Sequence, residues 1–125
     1  MARQRLQPAD MQDPVRYSLG WRAGNTVYLA GAIGTNEDGS LSPDIKVQTR
    51  RVYEKLARVM KEAGGGLEHL VKTTTFITDM RNQHGYAEIR GEFFSGDAPA
   101  STLIQCVALA MPGALIEIEG IAVLD

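Results

Sequence analysis

Hydrophobic and polar residues alternate strictly between residues 15 and 21. The apolar positions share one face of an extended chain: Val15, Tyr17, Leu19 and Trp21. This period of two predicts a β-strand. Residues 23–25 (Ala-Gly-Asn) have turn chemistry, and residues 26–30 return to β-favouring types. We therefore predict a β-hairpin over residues 15–30, followed by a loop over residues 31–40.

A helical period begins after this loop. Ser42 is placed to cap the helix, Pro43 suits its first position, and Asp44 complements the positive end of the helix dipole. Apolar residues then recur at spacings of three, four and seven: Ile45, Val52, Leu56, Val59 and Ala63. Such a stripe is typical of an amphipathic helix that covers a core. Three consecutive glycines, residues 64–66, are expected to end it.

The remaining pattern predicts three more strands and a second helix. Strands are expected over residues 70–78, 101–109 and 115–124, and the helix over residues 82–94. The order is therefore β-β-α-β-α-β-β, an α+β arrangement. Right-handed crossovers between parallel neighbours would place both helices on one face of a single sheet.

The strands are too apolar to leave the other sheet face in water. In the strand from residue 101, Leu103 and Val107 alternate with Ile104, Cys106 and Ala108, so both faces carry apolar side chains. A sheet face of this kind must be buried against another layer. Since both helices are already placed on the opposite face, we predict that the chain buries this one by self-association.

Composition limits the class of protein. The chain has 125 residues, 44% hydrophobic and 22% charged, which predicts one globular domain over residues 1–125. The net charge is -2 and no segment has a large positive excess, so nucleic-acid binding is disfavoured. Basic residues at positions 50, 51, 55, 58 and 61 are interspersed with acidic ones and are interpreted as a solvated helix face.

Cysteine content and hydropathy narrow the setting. The single cysteine, Cys106, excludes an internal disulfide and a cysteine-rich metal site, and we expect it to pack in the core. The polar N-terminal segment has no signal-peptide core, and no apolar run reaches the ~20 residues that span a bilayer. We therefore expect a cytoplasmic protein without a membrane anchor.

Several short motifs together resemble the Rid (YjgF-type) family, which is also described as the endoribonuclease L-PSP family. The matching residues follow one another along nearly the whole chain: Tyr17, Gly24-Asn25, Tyr28 to Gly31, Val71 to Thr74, Phe76, Asp79, Pro99-Ala100 and Ile116 to Ala122. The resemblance implies a chorismate-mutase-like α+β subunit. It also implies a homotrimer whose sheets form a barrel, with three small-molecule clefts between the subunits.

The best-known members of this family hydrolyse reactive enamines and imines to a keto acid and ammonia. Their essential arginine directly follows the Pro-Ala pair and binds the substrate carboxylate, whereas this position holds Ser101 in the present chain. The family's cleft motif Ser-Gly-Gln is replaced by Ala30-Gly31-Ala32. Four other arginines are candidates for a replacement cation, although each also suits an ordinary surface role: Arg16, Arg22, Arg81 and Arg90.

Two positions of the family's cleft retain their residue. The resemblance places Tyr17 near the cleft and makes Glu117 the residue that orients water. A carboxylate suits this role because hydrolysis of a C=N bond needs a water held and partly deprotonated beside the carbon. Burial in a partly dry cleft should raise the pKa of Glu117 and make it a better base. This chemistry requires no metal or organic cofactor.

Each candidate also has an ordinary structural interpretation. Glu117 shares a strand face with Glu119, where both could be solvated or form ion pairs between subunits. Tyr17 could simply pack within the first strand. Ser101 could be an ordinary strand residue or could contact ligand, and no nearby base indicates a serine nucleophile.

Gly31 and Ala32 are predicted to form part of the cleft wall, because a side chain at Gly31 would narrow the opening. The two histidines, His69 and His84, are interpreted as surface residues. They lack the clustered carboxylates or thiols that a metal site needs, so no metal centre is predicted.

The favoured function is hydrolytic deamination of a small imine, enamine or amino-substituted unsaturated acid. In this hypothesis Glu117 orients water and the substrate-binding residues are Tyr17, Ser101, Gly31 and Ala32. The alternative is a trimer of the same fold that binds or senses a small molecule without chemistry. A third hypothesis, endoribonuclease activity, is opposed by the acidic net charge.

Overall fold

The computed structural model describes residues 2–125, which form one six-stranded sheet and two helices. The strands are β1 (Arg3–Leu6), β2 (Gly20–Ala23), β3 (Thr26–Ile33), β4 (Leu70–Ile77), β5 (Ala100–Gln105) and β6 (Ile116–Val123), and the helices are α1 (Ile45–Glu62) and α2 (Gln83–Phe93). The predicted α+β class is confirmed. β1 was not predicted, since its polar sequence contains no apolar alternation.

The sheet has the strand order β1-β2-β3-β6-β4-β5. β4 and β5 are parallel and are joined through α2, while all other neighbouring strands are antiparallel. α1 packs against β3 and β6 and also contacts α2. Both helices therefore lie on one face of the sheet, as the element order predicts.

The core lies between α1 and the middle of the sheet. The apolar stripe of α1 is buried, including Val52, Leu56 and Val59. It meets the buried face of β6, where Ile116 and Ile118 are fully inaccessible to solvent. Each such side chain contributes about 1.5–3 kcal/mol on burial, so this contact fixes α1 across the strands that also carry the site.

Gln48 ties the start of α1 to the segment before β6. Its side-chain nitrogen donates to the carbonyls of Ser42 and Gly113, and its side-chain oxygen accepts from the Leu115 amide at 2.9 Å. The side chain is fully buried, so these bonds replace the water that it loses. The start of β6 is thereby held against the helix.

The N-cap of α1 lies two residues later than the predicted cap, Ser42. The N-cap is Asp44, whose Oδ1 accepts a hydrogen bond from the Lys46 amide at 2.8 Å. Ser42 instead accepts from the Asp44 amide, outside the helix. A carboxylate is favoured as the cap because it also faces the positive end of the helix dipole. The predicted glycine stop is confirmed, with Gly64 at a φ of 87°.

The first predicted strand is mostly a loop. Asp13 accepts a hydrogen bond from the Val15 amide, and the Arg16 amide donates to the Pro14 carbonyl at 2.7 Å. Val15 thereby adopts a φ of 68°, the strained centre of a tight turn. These local bonds outweigh the alternation of side chains, so Tyr17 lies in the loop and β2 begins only at Gly20.

β5 is shorter than predicted. It ends at Gln105 rather than at residue 109, because its only neighbour, β4, ends at Ile77 and offers no further partner for pairing. Cys106 makes one last backbone bond to Ile77 and is half-buried, so its predicted place in the core is wrong. Val107, beyond the strand, is fully exposed.

The sheet face opposite the helices is uncovered in the single chain. In β6 the even-numbered residues are buried under α1 and the odd-numbered residues face away. This open face exposes Ile121 and Val123, and Tyr28, which pairs with Ile121 in register, is 52% exposed beside them. The predicted uncovered face is therefore present, and an apolar surface of this kind is typical of a contact with another protein.

We predict that Gly34→Ala destabilises the fold, whereas Gly91→Ala does not. A Cβ at Gly34, directly after β3, would lie 2.6 Å from the Cα of Gln48, so α1 would have to move away from the sheet. Overpacking of this kind costs about 1–3 kcal/mol or more. A Cβ at Gly91, on α2, meets no atom within 4 Å. Gly91→Ala should therefore raise the free energy of unfolding by about 0.5–1 kcal/mol through helix propensity. Urea denaturation measures both, and equal effects would contradict the close packing at Gly34.

Candidate active site

A cleft of about 1730 Å³ opens where the last residues of β3 extend past Gly20, the first residue of β2. Its walls come from the end of β3, the loop over residues 10–17, one side of α1 and the start of β6. Four of the five site residues predicted from the sequence line it: Tyr17, Gly31, Ala32 and Glu117. The fifth, Ser101, does not.

Glu117 lies on the open face of β6, opposite Ile33 of β3. Within the described part of the chain its carboxylate has no hydrogen-bond or ion-pair partner. Burial raises the pKa of Glu117, and the charge of Glu119 raises it further. Glu117 is therefore an incompletely solvated carboxylate, which makes it a stronger base than an exposed glutamate.

The backbone of Gly31 makes room for this carboxylate. Gly31 lies in β3 rather than in the predicted loop, at a register shift between Leu29 and Ala32. A Cβ on Gly31 would lie 2.5 Å from Oε2 of Glu117 and 2.9 Å from its Cδ. A side chain at this position would thus displace the carboxylate as well as narrow the cleft.

Tyr17 and Ala32 complete this part of the wall from two different elements. Tyr17 belongs to the loop before β2 and is 57% exposed, so the interpretation that it packs within a strand is wrong. Ala32 pairs with Ile118 of β6, next to Glu117. An aromatic ring at the mouth and a small apolar wall would suit a compact, partly apolar ligand.

α1 contributes a basic wall that sequence reasoning interpreted as an ordinary solvated face. Arg51, Lys55 and Arg58 line the cleft, and their spacing of four and three residues was the signal that they share one side of the helix. Arg51 pairs with Glu54 at 2.8 Å, and Arg58 pairs with Asp10 at 3.0 Å. The charges of these two arginines are therefore already compensated.

Lys55 has a different environment. Its Nζ donates to the Ile33 carbonyl at 2.8 Å and to the Thr35 hydroxyl. Burial lowers the pKa of Lys55, and the charge of Arg58 lowers it further. Lys55 therefore links α1 to the end of β3 at the cleft wall and so helps to position the strand that carries Gly31.

Ser101 lies on β5, at the far edge of the sheet, with β4 and β6 between it and β3. Its hydroxyl accepts a hydrogen bond from Nη1 of Arg90 at 2.6 Å. A single chain therefore does not bring Ser101 together with Glu117.

Among the four arginines considered as replacement cations, only Arg90 contacts Ser101. Arg22 donates to the Ala63 carbonyl at the C-terminal end of α1 and to the Gly24 carbonyl in the β2–β3 turn. Arg81 pairs with an aspartate just before α2, and Arg16 is exposed. No sequence spacing could have identified Arg90, because the packing of α2 on the sheet brings it to β5.

The histidines lie outside the cleft. His69 accepts a hydrogen bond from the Gly66 amide through Nδ1, and His84 is exposed on α2. Between residues 2 and 125 no three His, Cys, Asp or Glu side chains are arranged to hold a metal ion. Neither helix in this range has the length and apolar character needed to cross a bilayer.

We predict that Glu117→Gln stabilises the protein more at pH 7 than at pH 4. Because the folded-state pKa of Glu117 is raised above 4.5, the folded chain keeps this proton longer than the unfolded chain does. The free energy of unfolding therefore falls as pH rises from 4.5 through the folded-state pKa of Glu117. Glutamine does not titrate, so the variant lacks this loss of stability. Urea denaturation from pH 4 to pH 8, at one protein concentration, measures it.

In the same titration, the pH-dependent gain in stability from Glu117→Gln should be smaller in a protein that also carries Glu119→Gln. This second substitution removes the second cause of the raised pKa of Glu117. A stability difference between Glu117→Gln and the parent that does not change with pH would contradict the proposed burial of the carboxylate.

Comparison with known proteins places the chain in one family. A family model described as Endoribonuclease L-PSP matches residues 9–124. The chain is 31% identical to RidA from an Antarctic Psychrobacter, over 97% of this chain and 99% of that one, with a TM-score of 0.89.

Two further solved structures are similar in the same way. YyfA from Yersinia pestis, a Rid-family protein of unknown function, is 33% identical over 98% of this chain and 100% of that one, with a TM-score of 0.89. A YjgF/YER057c/UK114 family member from Mycobacterium tuberculosis is 27% identical over 98% and 100%, with a TM-score of 0.86. Since the family model matches nearly the whole chain, the protein belongs to the Rid family, also called the endoribonuclease L-PSP family.

Proposed function

We propose that the protein hydrolyses the C=N bond of a small imine, or of the enamine that tautomerises to it, to a carbonyl compound and ammonia. The observation that carries this proposal is the unpaired, partly buried carboxylate of Glu117 beside Gly31 in the cleft. A base that is ionised yet poorly solvated is suited to activating a water molecule.

In the proposed reaction Glu117 accepts a proton from water while the water oxygen bonds to the imine carbon. The π electrons of the C=N bond move to nitrogen, and Glu117 returns the proton there to give a carbinolamine. Glu117 then moves the hydroxyl proton to nitrogen as the C–N bond breaks and the C=O bond forms. One imine and one water are thus converted into one carbonyl compound and one ammonia, and no redox partner is consumed.

The proposal includes a homotrimer whose subunits shelter the open sheet face. The apolar side chains of Tyr28, Ile121 and Val123 support it, because a lasting exposure of this surface to water would be unfavourable. The separation of Ser101 from Glu117 within one chain supports it as well, since a cleft between subunits can bring β5 of one copy to β6 of another.

Two other functions are weighed against this one. A trimer that only binds a small molecule is favoured by the replacement of polar family residues by Ala30 and Ala32, which offer no side-chain hydrogen bonds. Ribonuclease activity is disfavoured although the cleft has a basic wall. Arg51 and Arg58 of that wall are paired with carboxylates and are not free to bind phosphate.

We predict that Glu117→Gln lowers the rate of imine hydrolysis by about 10²–10⁴-fold, the usual effect of removing a general base. The probe substrates are 2-imino acids generated in solution by an amino-acid oxidase, with the 2-oxo acid and ammonia quantified against time. Glutamine keeps the size of the side chain, so the fold and the cleft should be unchanged.

The matched control is Glu62→Gln, which removes one carboxylate from the exposed end of α1 and should leave the rate unchanged. If Glu117→Gln hydrolyses the imines as fast as the parent protein, the mechanism is wrong. Saturable binding of the products with no acceleration of hydrolysis by the parent would favour the binding trimer instead.

A further inference from the structure

Arg90 on α2 is held in one orientation by several neutral groups. Its Nη1 donates to the Tyr86 hydroxyl at 3.0 Å and to the Ser101 hydroxyl at 2.6 Å, and its Nη2 donates to the Pro99 carbonyl at 3.3 Å. The guanidinium also lies over the ring of Phe94, 5.6 Å from its centroid. These contacts pin a normally flexible side chain at the start of β5.

The Tyr86 contact is itself anchored in the protein interior. Tyr86 is only 4% exposed, and its hydroxyl also shares a hydrogen bond of 3.2 Å with Thr75 of β4. Burial by itself raises the pKa of the Tyr86 hydroxyl, but the bonds from Thr75 and Arg90 and the Arg90 charge outweigh burial, so the pKa is lowered. The guanidinium therefore rests on a rigid support.

Arg90 has no acidic partner, which distinguishes it from most arginines of this chain. Five others each lie within 4.0 Å of a carboxylate: Arg5, Arg50, Arg51, Arg58 and Arg81. Arg22 interacts with the carbonyl end of α1, and Arg3 and Arg16 are exposed. Arg90 lies in the last turn of α2, where the helix dipole favours a cation, but over residues 2–125 no carboxylate pairs with it.

Two N–H donors of Arg90 are free to bind a ligand. A guanidinium has five N–H groups, and the three hydrogen bonds above leave two of them, on Nε and Nη2, without a partner among the described residues. Two such donors on one planar fork suit the two oxygens of a carboxylate.

We infer that Arg90, oriented by Ser101 and Tyr86, binds the carboxylate of the substrate, so that a residue of α2 sets the preference of this chain for acids over their neutral analogues. The inference rests on the proposed function, because Arg90 and Glu117 meet one substrate only across two copies of the chain. A guanidinium from α2 then supplies the charge that Ser101 lacks, and Ser101 becomes a positioning residue for that guanidinium.

The test compares Arg90→Met and Arg90→Lys with the control Arg81→Met, which removes the same charge from an exposed, aspartate-paired arginine. The first readout is calorimetric binding of 2-oxobutanoate, which needs no turnover. Loss of a charge-assisted pair should weaken binding roughly 10- to 100-fold in Arg90→Met. Arg90→Lys should fall between, because it keeps the charge without the fork, and Arg81→Met should match the parent.

The second readout is hydrolysis of a 2-imino acid and of its neutral carboxamide. Arg90→Met should lower kcat/KM for the acid by a similar factor and leave the carboxamide unchanged. Unaltered 2-oxobutanoate binding in Arg90→Met, no binding by the parent protein, or equal losses for acid and carboxamide would overturn the inference.

These outcomes separate the two proposals. Arg90-dependent binding of 2-oxobutanoate without hydrolysis of any imine would refute the proposed reaction while upholding the carboxylate site. Hydrolysis that depends on Glu117 but not on Arg90 would do the reverse. If Arg90→Met fails to fold, Arg90→Lys carries the same comparison.

Discussion

Two helices cover only one face of this six-stranded sheet, and the described chain supplies no third layer. β6 makes the asymmetry plain, because Ile118 is fully buried under α1 while Ile121, on the other side of the same strand, remains partly exposed. Apolar surface in water is unfavourable in proportion to its area, so a second copy of the same surface is an economical cover. The position of the site follows from this constraint, because Glu117 lies on the open face rather than in the core.

The chemistry of the cleft depends on groups that the fold leaves incompletely satisfied. Gly31 lets the Glu117 carboxylate sit against backbone, where water solvates it poorly and no cation neutralises it. Arg90 is the complementary case, a cation that the fold orients with hydroxyls and a carbonyl instead of an acid. Buried charges without partners are costly, and such groups are frequent at functional sites because a ligand completes them.

The elements that depend on local chemistry were predictable from the sequence. The apolar stripe of α1 and the glycines after it predicted that helix, and the order of strands and helices predicted the uncovered face. The loop around Val15 was not predictable, since the side-chain alternation there competes with a hydrogen bond from the Val15 amide to the Asp13 carboxylate, which the period of two does not reveal. β1 was missed because an edge strand paired on one side needs no apolar alternation.

The candidate site was predictable in part, and for a different reason. Tyr17, Gly31, Ala32 and Glu117 were proposed from the family resemblance, and the fold brings them to one cleft. The link between Arg90 and Ser101 was out of reach, because it depends on how α2 packs on β5 and not on any spacing in the chain. That the basic side of α1 lines the cleft was unpredictable for a similar reason, since helical spacing shows which residues share a side but not what that side faces.

Sedimentation equilibrium of the purified protein at micromolar concentration tests the central claim most directly. The account predicts a species with the mass of three chains, because the open face of each subunit must be sheltered by its neighbours. A compact, stable monomer would contradict it, since the clefts that join Arg90 to Glu117 could then not form.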